Sequence, residues 1–126
     1  MTDISPLAPT SFPDLPAIEG VMLRTRRAGY KAWERHDLTF ITLDEGTSVA
    51  AVTTQSKCPS PEVELCREHV KGGKARGLVV NAGNSNAFTG NRGRAAVSTI
   101  VNKVTETLGC AAEEVFVSST GVIGVP

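Results

Sequence analysis

The apolar positions of this chain fall in short runs whose spacing alternates between that of strands and that of helices. Val21 to Thr25 reads as a first short strand, followed by a polar connection around Gly29 and Tyr30 that is rich in arginine. Leu38 to Leu43, LTFITL, combines β-formers with apolar residues on both faces, which places it between two layers. Asp44-Glu45-Gly46 reads as a turn that brings the chain back along Ser48 to Thr54, so a hairpin is expected there.

Further on, Ser60-Pro61-Glu62 supplies an N-cap, a first-turn proline and a first-turn acid, and Val63, Cys66 and Val70 recur along one face until Gly72-Gly73. That predicts a short amphipathic helix with Cys66 as a packed thiol. Leu78 to Asn81 is a strand too short and apolar to be an edge. Val97, Ile100, Val101, Val104 and Leu108 keep the rhythm of a second helix, stopped by Gly109, and Val115 to Ser118 is again strand-like. The expected fold is α/β, with a mostly buried β layer built from the hairpin and the two later strands, and both helices on one side. The same order of elements also permits a three-layer parallel fold.

Pro6, Pro9, Pro13 and Pro16 suppress helix and central strand, so residues 1–20 are expected as an extended proline-rich segment ahead of an α/β domain at 21–126. Leu7, Phe12, Leu15 and Ile18 favour its packing on the body over free solvation.

Composition changes this picture only by exclusion. The 126 residues carry 13 basic and 13 acidic side chains, so no excess of charge advertises nucleic acid or an anionic membrane as partner. No apolar run approaches the roughly 20 residues of a bilayer span. Cys58, Cys66 and Cys110 show no CxxC spacing and no signal-peptide layout opens the chain, which suggests a cytoplasmic setting. His36 and His69 lack the spacings that zinc favours, so no metal site is expected.

Candidate chemistry sits where two apolar runs break into small polar residues. Leu78 to Gly93 passes from strand through a Gly/Asn turn into helix, a layout that can cradle phosphate, yet it is neither GxGxxG nor GxxxxGK[ST]. Nucleotide binding is disfavoured. Asn81 to Asn86 serves equally well as a structural turn. Ser118-Ser119-Thr120-Gly121 ends the last strand with a hydroxyl beside a glycine N–H, a pair of donors suited to the oxyanion of acyl transfer. A nucleophilic Ser or Thr needs a base, and none stands at a recognisable spacing.

NAGNSNAFTG at Asn81 to Gly90, STGVIG at Ser119 to Gly124, ISPLAP at Ile4 to Pro9 and AIEGV at Ala17 to Val21 closely resemble the N-terminal part of the ornithine acetyltransferases. SKCPS at Ser56 to Ser60 and KGGKARGLVVN at Lys71 to Asn81 extend the likeness over nearly the whole chain. The resemblance implies a glutamate N-acetyltransferase of arginine biosynthesis, made as a precursor that cleaves itself before a threonine into α and β chains. It also implies two central sheets between helical layers, completed by the β chain, in an α2β2 heterotetramer. The new N-terminal threonine takes the acetyl group from N-acetylornithine and passes it to glutamate by a ping-pong route, without a cofactor. Acetyl-CoA is a further donor in some members.

Carried onto this sequence, Thr120 through its hydroxyl and Gly121 through its N–H match the family's oxyanion hole, and Asn81, Asn84 and Asn86 match residues that shape or line the site. The chain ends before the cleavage junction and the nucleophile, so the domain is expected to be truncated and inactive alone. A non-catalytic assembly or small-ligand-binding domain is the alternative from a different class.

Overall fold

The computed structural model describes residues 5–125; the first four residues, including the Ile4 that opens ISPLAP, and Pro126 lie outside them. Four strands and two helices follow in the order β1 (Val21–Arg26), β2 (Leu38–Leu43), α1 (Pro61–His69), β3 (Gly77–Asn84), α2 (Gly90–Leu108) and β4 (Val115–Val122). Short 3₁₀ turns at Val70–Gly72 and Ala112–Glu114 end α1 and lead into β4. The strands form one sheet in the order β1-β2-β3-β4, antiparallel from β1 to β3 and parallel between β3 and β4. A mixed sheet excludes the parallel three-layer alternative, and the α/β class stands. These residues form one sheet, not the two that the resemblance implies for the whole enzyme.

β3 is central because both its edges are used, and its alternating burial follows from facing α2 with every second residue. Val97, Val101 and Val104 of α2 meet Val79, Val115 and Val117 of the sheet in the buried core, with Phe40, Leu65 and Leu108 at its margin. Burying a valine side chain fully is worth roughly 1.5–3 kcal/mol, so this interleaved set holds α2 to the sheet. Gly109, in the left-handed region, stops α2 and donates its N–H to the Thr105 carbonyl.

The helices do not share one side as expected. α2 covers a face, whereas α1 flanks the outer edge of β4. Cys66 Sγ reaches the Val117 carbonyl at 3.3 Å and His69 Nδ1 lies 2.7 Å from the Val115 carbonyl. Successive inward residues of α1 thus track alternate residues of β4, and side chains take the place of a fifth strand. Cys66 is half-buried, and burial, with Glu62 adding to it, raises its thiol above the usual range. Ser60 occupies the N-cap position of α1, but its side chain makes no capping bond.

The expected hairpin does not form. Asp44-Glu45-Gly46 does turn, with Thr47 donating its N–H and its hydroxyl to the Asp44 carbonyl. However, β1 and β3 occupy both edges of β2, so Ser48 to Thr54 finds no strand to join and makes a lone bridge between Ser48 and Lys74. The expected packing of the N-terminal leucines and aromatics is not seen either: Leu7, Phe12, Leu15 and Ile18 are exposed.

The connection between β1 and β2 is organised by a buried carboxylate. Asp37, 3 % exposed, accepts the backbone N–H groups of Ala28, Gly29 and Tyr30 at 2.5, 3.0 and 2.9 Å. Those donors hold its carboxyl below the ordinary aspartate value of 3.8, the bond from Ala28 contributing most. A depressed folded-state value means that this stabilisation is complete above the unfolded value and is lost as pH falls through the folded one. Asp37→Asn is therefore expected to lower the melting temperature at pH 7, and the gap from the parent should shrink as the buffer is taken toward pH 3. A gap that stays constant across a thermal-shift series in pH would contradict this role.

Candidate functional site

Strand β4 runs further than its apolar residues do. Val115, Phe116 and Val117 are buried, but the strand continues through Ser118, Ser119, Thr120 and Gly121 to Val122 as exposure rises. Thr120 and Gly121 are thus held within the strand, past the Ser118 at which the strand-like run was expected to stop. Register pairs Thr120 with Ala82 and Gly121 with Gly83. Both Thr120 and Gly121 are exposed.

The two paired glycines explain how the strands come so close. Gly121 has φ of +128° and Gly83 of +141°, a region that residues with side chains rarely adopt. A Cβ on Gly121 would overlap the carbonyl carbon and oxygen of Gly83, and one on Gly83 would lie 2.7 Å from the Tyr30 Cβ. Tyr30, presented by the loop that Asp37 gathers, therefore lies directly over Gly83. Desolvation, and then the Asp37 charge, raise the Tyr30 hydroxyl above its usual range.

Behind this corner, on the face that carries α2, lies a buried polar network. Ser119 Oγ lies 2.9 Å from Glu62 Oε1 and 2.5 Å from Asn81 Oδ1, so one hydroxyl proton faces two acceptors. Asn81, 5 % exposed, donates its amide to the Asn84 carbonyl at 3.1 Å. Asn86, 6 % exposed, donates to Glu62 Oε1 at 2.7 Å and to the Gly93 carbonyl at 3.2 Å. Asn86 takes φ of +55°, and its Oδ1 accepts the Thr89 hydroxyl at the start of α2. Tyr30, Glu62, Asn81, Asn84, Asn86 and Ser119 all border a cavity of about 60 Å³.

The structure therefore brings Asn81, Asn84 and Asn86 together, and joins them to Glu62 and Ser119. It does not bring them beside the Thr120 hydroxyl, because strand alternation turns Thr120 to the face opposite Ser119. Beyond Glu62, a larger and mostly apolar cavity of about 460 Å³ opens between Val49–Thr54, α1 and β4, with Ser118 and Ser119 on its wall. Glu62 escapes sequence reasoning: a first-turn acid is ordinarily solvated, yet here it is 3 % exposed. Asp37 left a faint signal, as an acid closing a glycine-containing loop. Among the described residues no three His, Cys, Asp or Glu side chains cluster as a metal site would need, and no helix is long and apolar enough to cross a membrane.

A mixed sheet with a parallel βαβ step, ending in an exposed Thr-Gly pair with a polar network behind it, defines an α/β protein with its candidate chemistry at a strand end. The chain belongs to the ArgJ family, which it matches over residues 22–126. It is 63% identical over 126 residues to the arginine biosynthesis bifunctional protein ArgJ of Zymomonas mobilis subsp. mobilis, covering 100% of this chain and 31% of that protein. To the protein of the same name from Bradyrhizobium diazoefficiens it is 50% identical over 125 residues, covering 99% and 30%. The chain thus spans less than a third of the length of these relatives.

Solved structures agree. The crystal structure of ArgJ from Bacillus halodurans superposes with a TM-score of 0.80 at 33% identity, covering 85% of this chain and 56% of that one. Ornithine acetyltransferase from Mycobacterium tuberculosis, complexed with ornithine, gives 0.73 at 29% identity, covering 85% and 58%.

Proposed function

We propose that this chain is the N-terminal part of the α chain of an ornithine acetyltransferase, contributing Thr120 and Gly121 to an oxyanion hole. The observation that carries the reading is the exposed Thr-Gly pair at the end of β4, in a chain that belongs to the ArgJ family. In that role the N-terminal threonine of a companion β chain attacks the acetyl carbonyl of N-acetylornithine, with its own amine as base. The carbonyl oxygen becomes negative as the tetrahedral intermediate forms. Ornithine departs, and glutamate repeats the sequence in reverse to collect the acetyl group.

Position supports the two donors. Val115 and Val117, in phase with Gly121, direct their carbonyls to the outer edge of β4, whereas Val122 faces β3 and accepts the Ser85 N–H. By the same alternation the Gly121 N–H belongs to the outer edge and the Thr120 side chain to the open face, so both groups serve one corner. Glycine at this point lets the end of β4 close on β3, where a Cβ would overlap the Gly83 carbonyl.

The remaining parts of the reading are a domain at 21–126 behind an extended segment 1–20, an α2β2 assembly after self-cleavage, and a cytoplasmic location. Acetyl-CoA is a candidate second donor, and no cofactor is required. The test is reconstitution. This chain, produced with the downstream polypeptide, is expected to exchange acetyl between N-acetylornithine and glutamate, and this chain alone is expected to give none. A correctly assembled complex without exchange would point instead to a non-catalytic assembly or ligand-binding domain.

A further inference from the structure

Glu62 is an expensive residue for its place. Its carboxyl is 3 % exposed, and Oε2 is buried without a hydrogen-bond partner among the described residues. Burying a carboxyl with an unsatisfied oxygen costs stability, so stability alone is a poor reason for its presence. What it does hold is β4, at the point where apolar packing stops.

Past Val117 the strand has few inward anchors. Ser118, Thr120, Gly121 and Val122 are exposed, and Ser119 is the one partly buried residue between Val117 and the strand's end. Its hydroxyl sits between two acceptors, Glu62 of α1 and Asn81 of β3, and shares its one proton between them. Asn86 then ties Glu62 to the start of α2 through the Gly93 carbonyl. Three elements thus converge on the residue immediately before Thr120.

We propose that Glu62 is a positioning residue, which acts through Ser119 to set the angle of the Thr120–Gly121 peptide and hence the aim of both oxyanion donors. The proposal rests on the acetyltransferase reading above. It differs from a structural role in one respect. Removing the Glu62 carboxyl leaves Ser119 bonded to Asn81 and Asn86 bonded to Gly93; one Asn86 N–H loses its acceptor, but the unsatisfied buried Oε2 goes with it, so the two costs offset and folding should change little.

The experiment uses the fully assembled enzyme with Glu62→Ala, Glu62→Gln, Ser119→Ala and the Glu62→Ala/Ser119→Ala pair. Each alanine variant is expected to lower kcat about tenfold with KM for N-acetylornithine unchanged, the pattern of an interaction that matters in the transition state. Glu62→Gln, which keeps an acceptor for Ser119, should recover most of the rate. The double variant should be no slower than the slower single one, because both act along one path.

Hydrogen exchange supplies a readout independent of turnover. In Glu62→Ala the amides of Thr120 and Val122, which face β3, should exchange about tenfold faster, while that of Phe116 keeps its protection. Unchanged exchange at Thr120 and Val122, or a parental kcat in Glu62→Ala, would overturn the proposal. So would a double variant about a hundredfold down, the product of independent effects. An assembled parent that transfers no acetyl would defeat the acetyltransferase reading, and the exchange measurement would still decide whether Glu62 governs the strand end.

Discussion

Thr120→Ala is expected to slow acetyl transfer by the assembled enzyme about a hundredfold, which corresponds to about 3 kcal/mol of lost transition-state stabilisation. The loss should fall on kcat, since the hydroxyl meets full negative charge only when the acetyl carbonyl becomes tetrahedral. Folding should be nearly unaffected. Thr120 is exposed, its hydroxyl makes no hydrogen bond with another described residue, and its backbone pairing with β3 does not depend on the side chain. Thr120→Ser, which keeps the hydroxyl, should retain more of the rate than Thr120→Ala. Steady-state kinetics on the assembled complex, with a thermal melt as control, decide the matter. A full rate in a folded Thr120→Ala enzyme would remove Thr120 from the chemistry.

Gly121→Ala should act on the fold before it acts on the reaction. The added Cβ would overlap the Gly83 carbonyl and lie 2.8 Å from the Asn84 nitrogen, all backbone atoms that no rotamer change can move aside. Holding a non-glycine residue at φ of +128° adds strain of about 1–3 kcal/mol. Relief is possible only if the end of β4 parts from β3, so the expected cost is about 3 kcal/mol or more. Urea unfolding would register this as a lower midpoint. A Gly121→Ala protein with the parental midpoint would mean that the two strand ends are not in contact as described.

Much of this architecture could be read from the residues, and the parts that could not share a physical cause. The rhythm Val97, Val101, Val104 located α2 because helical periodicity is local. LTFITL located β2 for the same reason. Pairing is not local: the turn at Asp44-Glu45-Gly46 is real, but the strand expected after it is displaced because β1 and β3 already fill both edges of β2. Nothing in SVAAVTT reports that competition. The strand-like run of β4 reads only to Ser118, because the serine and glycine around Thr120 are weak strand formers. Parallel pairing with β3 instead carries the strand to Val122.

The candidate site divides in the same way. Thr120, Gly121 and the three asparagines enter the candidate site through their residue types and the likeness of NAGNSNAFTG and STGVIG to a known family. Family membership then followed from the match over residues 22–126. Glu62 and Tyr30 were not found, because each reaches the corner only through tertiary folding. A charged residue in a first helical turn is ordinarily solvated, and only the approach of Ser119 and Asn86 turns this one inward. Conversely, Leu7, Phe12, Leu15 and Ile18 carry enough apolar surface to pack, yet all four lie exposed.

The helix lying against β4 gives the sheet a direction of growth. Its Cys66 and His69 occupy carbonyls that an incoming strand would need, so lateral addition of another polypeptide is barred along Val115 to Val117. Among the described residues β1, at the opposite margin, has no such guard, and Leu23 to Arg26 lie exposed with Arg24 and Arg26 among them. Arginines at an open margin discourage indiscriminate self-association while leaving the main chain available. Any extension of the sheet by a further strand is therefore steered to β1, away from the corner that holds Thr120.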